Sequence, residues 1–136
     1  MIDEVPNSNQ ENSKQHKAAQ RDANTTVEQL REAMQDFVTR RDWHQFHTPK
    51  NLAGSVSIEA AELVELFQWM TTEEASDRAK TDDKLRGEIA DEMADVFLYL
   101  LSMANALNID LTKSTFAKIE KNNVKYPVEK AHQFKP

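Results

Sequence analysis

Two windows of the chain each carry a pair of carboxylates three residues apart, in places where a helical pattern calls for apolar side chains. In SIEAAELVELFQWM, residues 57–70, Glu59 and Glu62 share one stripe with Leu66 and Trp69. In GEIADEMADVFLYLL, residues 87–101, Glu88, Glu92, Asp95 and Tyr99 recur at intervals of four, three and four. If the two helices pack antiparallel, as consecutive helices with a short joint tend to, Glu59, Glu62, Glu92 and Asp95 converge. Left uncompensated, four such groups repel one another and resist ionisation. A divalent cation removes the conflict. Hard oxygen donors select Mg2+, Mn2+ or Ca2+, and Mg2+ both keeps waters and meets phosphates, so Mg2+ is the expected ion and Mn2+ its substitute. The competing reading is two solvated faces, since acidic pairs at i and i+3 are common on ordinary helices; against it stands the continuation of both stripes into Leu66, Trp69 and Tyr99. A di-iron site would need Glu-x-x-His on two helices. Here the third positions are Glu62 and Asp95, and His16, His44, His47 and His132 all lie outside the two windows.

The elements that must position these groups read as helices. In 136 residues there are 2 Gly and 4 Pro, and the 39% of hydrophobic residues fall in long windows without the alternation of strands, so the class is all-α. The length suits one domain. With no cysteine, disulfides and thiolate metal sites are excluded, and a reducing compartment is suited. A net charge of −6 disfavours nonspecific nucleic-acid binding, which displaces counterions with a basic surface. Neither a signal-type apolar segment near the N-terminus nor 18 uninterrupted apolar residues occur, so the expectation is a cytoplasmic protein without membrane contact.

Residues 1–24 are polar and poor in apolar side chains, which predicts a mobile tail. A first helix is expected from Thr25, with Thr25 and Glu28 as capping box, to about Asp42, its inner face made of Val27, Leu30, Met34, Phe37 and Val38. The loop WHQFHTPKNLAG follows, then a second helix over Leu52–Met70. TTEEASDRAKTDDK has room for one helical turn. A third helix begins near Asp82 or Asp83 and ends at Leu107 with Asn108 as its stop, and a fourth, capped by Asp110 or Thr112, ends before Tyr126 and Pro127. The domain is therefore residues 25–127, with 128–136 as a C-terminal tail. VFLYLLSMANAL, in the third long helix, is apolar on almost every side. One chain has too little mass to cover it, which predicts a homo-oligomer; the other reading is the central helix of a monomeric bundle.

On the fourth helix Lys118, Asn122 and Lys125 stand at i, i+4 and i+7, followed by Tyr126. By spacing alone this reads first as a basic solvated face and only second as a set of donors for phosphate oxygens. The blocks RDWHQFHTPKNL, SIEAAELVELFQW, EIADEMADVFLYLL and AKIEKNNVKYP, in that order, resemble the all-α nucleoside triphosphate pyrophosphohydrolases of the MazG type, in their dCTP pyrophosphatase branch. The resemblance spans Thr26–Pro127. It implies a four-helix-bundle-like fold working as a dimer or tetramer, and cleavage of a nucleoside triphosphate between its α and β phosphates with Mg2+. It further implies Glu59, Glu62, Glu92 and Asp95 as metal ligands, with Glu88 outside the set. Lys118, Asn122, Lys125 and Tyr126 match its phosphate-binding motif, and Lys50 and Asn51 reach toward phosphate or sugar, although Asn51 reads equally as a helix cap. Trp43, Trp69 and His47 match its base pocket, and Tyr99 is placed under the sugar, where bulk would disfavour a ribose. Phe46 reads as either pocket or core, and without the resemblance Trp69 reads first as a core or interface anchor. Glu62 is the expected acceptor of the water's proton. The chain departs from some animal members in having Met34 where they carry a histidine, and a thioether cannot donate a hydrogen bond to a base. The readings that stand beside dCTP are dUTP or another nucleotide as substrate, and a noncatalytic helical adaptor.

Overall fold

The computed structural model describes residues 19–133; the expected N-terminal tail lies largely outside them, and only its end is seen, where Asp22–Asn24 form one turn of 3-10 helix. Five α-helices follow: α1 Val27–Thr39, α2 Pro49–Glu65, α3 Thr72–Thr81, α4 Asp83–Leu107 and α5 Leu111–Lys125. A last 3-10 helix, Val128–Gln133, occupies what was expected to be a loose C-terminal tail. Among the described residues there is no strand, as the composition implies.

α4 is the central helix. α2 packs along it most extensively, and α1 and α3 flank it. Met34 and Val38 of α1 bury against Leu101 of α4, with Val27, Leu30 and Leu111 around them. The expected inner face of α1 is therefore correct except for Phe37, which remains partly open. Burial of Leu52, Leu85 and Ala104 fixes α2 and the two ends of α4. α5 leaves α4 at 104°, and only its first turn, through Leu111, joins the core. Met93, Phe97 and Leu100 on α4 and Phe116 on α5 stay exposed, Phe116 by 66%. No single described helix is long and apolar enough to cross a membrane.

Several boundaries differ from the sequence expectation, each for a local reason. The capping box of α1 is Thr26 with Gln29, not Thr25 with Glu28: Gln29 N–H donates to Thr26 Oγ1 at 3.2 Å and Thr26 N–H to Gln29 Oε1 at 2.8 Å. α1 stops at Thr39, and Asp42, taken as helical, has φ 52. Its N–H donates to Thr39 O and that of Trp43 to Val38 O, the paired bonds of a Schellman ending. Asn108, with φ 51, closes α4 in the same way through bonds to Asn105 O and Ala104 O. α2 begins three residues earlier than expected, because Pro49 suits the first helical position and Thr48 caps it by accepting from Asn51 N–H. Asn51 is thus not the cap; its Nδ2 donates to Phe46 O at 3.0 Å. α2 also ends at Glu65, not Met70. Phe67, Gln68 and Met70 bond back by three residues, to Val64, Glu65 and Phe67, and this tighter winding takes Trp69 off the α2 stripe. α3 is a full helix, where a single turn was expected, started by a Thr71–Glu74 capping box. Asp82 then links α3 to α4, pairing with Arg78 at 2.8 Å and accepting from Leu85 N–H at 3.1 Å.

Candidate active site

α2 supplies Glu59 and Glu62 from adjacent turns and α4 supplies Glu92, and each of the three offers a carboxylate oxygen within 4.8 Å of the other two. The extensive packing of α2 along α4 is what joins them. Asp95, one turn beyond Glu92, lines the neighbouring cavity together with Glu59, and its charge reaches both Glu59 and Glu92. Loss of water, then the charges of Glu62, Asp95 and Glu92, hold the Glu59 carboxyl above the usual range. Glu92 is raised by the same causes in the same order, desolvation first and then Glu62 and Asp95, with smaller contributions from Asp91 and Glu65.

Among the described residues the ion pairs are Arg40–Asp36, Arg78–Asp82 and Lys84–Glu88, so protein cations neutralise none of these four acids. Glu88 is drawn to Lys84 and away from the cluster. Glu92 Oε2 is buried and has no hydrogen-bond partner. An all-oxygen set of like charges, one oxygen of it orphaned, has the chemistry of a site for a hard divalent cation.

Beside the acids opens a cavity of about 550 Å3. Leu30, Ala33, Met34 and Phe37 of α1 form one wall, Ala94, Phe97, Leu98, Tyr99 and Leu101 of α4 another, and Trp43 and His47 of the loop close it. The Schellman ending at Asp42 turns the chain back on α1, so that the Trp43 ring meets Phe37 edge-on at 5.9 Å and His47 stacks on Trp43 at 6.4 Å. Arg41 lies 3.6 Å above the Phe37 ring and donates to Phe37 O at 3.1 Å. His47 N–H is held by Trp43 O and His44 O. Burial first, and the nearby His44 second, lower the pKa of His47, which keeps its imidazole neutral at neutral pH. Met34 is buried in the apolar wall, and its sulfur offers a base no donor. A cavity so lined has room for a flat, mostly apolar ring beside the acids.

Of the residues singled out in the sequence, Trp43, His47, Tyr99, Glu59 and Asp95 line this one cavity, with Glu62 and Glu92 in the adjoining cluster. Lys50, Trp69, Lys118, Asn122, Lys125 and Tyr126 do not line it. Lys50 is exposed in the first turn of α2. Trp69 is 90% exposed in the turns after α2. The α5 residues follow that helix away from α4, and Lys125 Nζ rests 5.1 Å over the Tyr126 ring. Sequence reasoning missed Arg41 and gave Phe37 to the core. The signal was present in the i, i+4 spacing of Phe37 and Arg41 at the end of α1, a cation–aromatic pair directly before Trp43.

The model of the MazG-like family matches residues 55–135. The chain is 37% identical to dCTP pyrophosphatase 1 of Rattus norvegicus over 103 residues, which is 76% of this chain and 60% of the relative. It is 35% identical to dCTP pyrophosphatase 1 of Homo sapiens over 106 residues, 78% of this chain and 62% of the relative. The chain thus spans about three fifths of the length of these relatives. Among solved structures, a pyrophosphatase from Archaeoglobus fulgidus DSM 4304 is similar with a TM-score of 0.69 and 40% identity, over 74% of this chain and 92% of that one.

Proposed function

The chain belongs to the MazG-like family, and from that premise we propose that it is a Mg2+-dependent nucleoside triphosphate pyrophosphohydrolase. Its substrate is dCTP or a modified dCTP, which it converts with water to the monophosphate and pyrophosphate. The observation that carries the reading is the meeting of the Glu59, Glu62 and Glu92 carboxylates beside a cavity walled by Trp43, His47 and Tyr99. The names of the relatives point the same way.

In this reading Glu59, Glu62, Glu92 and Asp95 hold the ion, for which Mn2+ can substitute. When bound, Mg2+ supplies positive charge to the triphosphate and acidity to the attacking water. Glu62, the exposed member of the cluster, accepts the water's proton as the water oxygen adds to the α-phosphorus and the bond to the β-phosphate oxygen breaks. Trp43 and His47 hold the base and Tyr99 lies against the sugar, whereas Trp69, exposed in the turns after α2, stands outside the cavity. Lys50, Lys118, Asn122, Lys125 and Tyr126 stay the residues proposed for phosphate oxygens, although none of them lines the cavity within one chain. The protein acts as a homo-oligomer, which gives Met93, Phe97, Leu100 and Phe116 apolar surroundings. Its cysteine-free chain and nucleotide substrate fit the cytoplasm.

The test is chromatography of the products from natural dNTPs, NTPs and 5-methyl-dCTP incubated with the protein and Mg2+. The expected products from dCTP are dCMP and pyrophosphate, formed faster than products from the purine nucleotides. Glu62→Gln and Glu92→Gln each lower turnover by roughly two orders of magnitude, the size of losing a main charge-stabilising group. Release of dCDP and phosphate, or no hydrolysis with either Mg2+ or Mn2+, overturns the reading. Much faster turnover of dUTP keeps the site and replaces the substrate.

A further inference from the structure

Phe37 and Trp43 both line the cavity beside the acids, yet burial does not lock either ring, for each is 41% exposed. What holds them is a charge. The guanidinium carbon of Arg41 lies 3.6 Å from the centroid of the Phe37 ring and 5.8 Å from that of Trp43, so both rings share one cation. Phe37 in turn meets Trp43 edge-on at 5.9 Å, and Trp43 stacks on His47 with 24° between the planes. The backbone anchors the cation. Arg41 stands just past the end of α1, and its N–H donates to Val38 O, not to the Phe37 O that a continued helix would give it. The side chain takes that place, with Nη1 donating to Phe37 O at 3.1 Å. Among the described residues Arg41 has no ion pair, whereas the adjacent Arg40 binds Asp36 at 2.9 Å. Arg41 does not itself line the cavity.

We infer that Arg41 is a positioning residue for the base: its planar guanidinium clamps Phe37 at the end of α1 and, through Phe37, sets the face that Trp43 offers to the nucleotide. The bond to Phe37 O fixes the cation, the cation covers the Phe37 ring, and that ring supports Trp43. Arginine suits this role and lysine does not. A guanidinium is flat, weakly hydrated and charged at any working pH, so it stacks on a ring while still donating in its own plane. A half-exposed indole that is free to turn loses that freedom when a base stacks on it, whereas one already held loses less and binds more tightly. The metal-site acids stand on α2 and α4, and Arg41, Phe37 and Trp43 stand on α1 and the loop after it, so the effect falls on binding and not on the chemical step. The inference rests on the proposed function for the identity of the ligand, but the ring geometry does not depend on it.

The experiment follows the indole Nε1–H signals of the 2 tryptophans by 1H–15N correlation in the full chain, with that of Trp69 identified by its loss in Trp69→Phe. Steady-state kinetics on dCTP with Mg2+ and melting curves run in parallel. Arg41→Ala is expected to move or broaden the Trp43 signal and to leave that of Trp69 in place. It should raise KM roughly threefold to fivefold, the weight of one exposed cation–ring contact, with kcat little changed. Arg41→Lys keeps a charge and a donor at the end of α1, so it is expected to melt with the wild type and yet to show the raised KM and the displaced Trp43 signal. In a protein that hydrolyses dCTP, an unchanged KM or an unmoved Trp43 signal in Arg41→Ala overturns the proposal. So does full restoration of both by Arg41→Lys, and so does a fall in kcat at constant KM, which would put Arg41 on the reacting phosphates. A protein that hydrolyses no dCTP yet shows the displaced Trp43 signal in both variants retains the Arg41–Trp43 link and loses the proposed function.

Discussion

Glu59→Gln should make the metal-free protein more stable while removing its response to Mg2+. Glutamine keeps the shape and nearly the helix propensity of glutamate, so the change isolates charge. Glu59 and Glu62 offer oxygens within 4.8 Å; at a water-like dielectric that repulsion is about 1 kcal/mol. Both side chains retain contact with solvent, so screening reduces it to about 0.5–1 kcal/mol. For a domain of this size the gain is a rise in Tm of about 2–5 °C. The direction with pH follows from the raised pKa of Glu59. The folded chain holds a proton that the unfolded chain has already released, so this group's contribution is intact below its ordinary pKa of 4.5 and is lost as pH rises through the folded value. The advantage of Glu59→Gln therefore appears above that window and vanishes below it. Mg2+ at ten times its Kd should stabilise the wild type by about 1.4 kcal/mol and invert the order of the two proteins. Melting curves by circular dichroism in EDTA and in Mg2+, at neutral pH and at pH 4, check each step. A Glu59→Gln variant that melts below wild type in EDTA at neutral pH and low salt would refute the reasoning.

Light scattering at micromolar concentration should give a mass at least twice the 15.6 kDa of the chain, since Met93, Phe97, Leu100 and Phe116 form more apolar surface than one protomer covers; a mass near that of one chain contradicts this. Trp43→Ala should raise KM for dCTP roughly tenfold and blur the preference among bases, because one base–aromatic stack is worth about 1–3 kcal/mol; unchanged KM places the base elsewhere. Asp42→Val should cost about 1–2 kcal/mol in urea unfolding, and Asp42→Gly little or nothing, because φ 52 is accessible to glycine and strained for a branched residue.

What the sequence made legible was local or periodic. The limits of α4 were readable because Asp82 and Asn108 act on the residues beside them. Glu59, Glu62 and Glu92 were readable because 3.6-residue periodicity survives wherever the helix does. Trp69 was misplaced on the stripe because nothing in LFQWM announces that the backbone tightens to three-residue turns after Glu65. α3 was underestimated because its stability comes from the Thr71–Glu74 box and from half-burying Ala75 and Ala79, and neither alanine makes an apolar stripe that stands out. The 104° departure of α5 is set by the left-handed Asn108 together with burial of Leu111, a combination of one backbone angle with a tertiary contact that no spacing of side chains encodes.

The two halves of the site are supported differently. The carboxylates stand on α2 and α4, the pair of helices that packs most extensively, and shifting any one of them means shifting a helix against its neighbour. Trp43 and His47 stand on a loop whose direction comes from one left-handed aspartate and whose rings lean on Phe37. A substitution in that arm moves aromatic faces and leaves the acids in place. Met34, on the wall of the same cavity, alters its lining without contributing to the carboxylate cluster. Under the proposed function, charge-directed chemistry is therefore held by the helix pair, and choice of base by the half where one residue can change it. That division is why the acids were readable from a repeating pattern, whereas the aromatic arm depends on one left-handed residue that no repeating pattern announces.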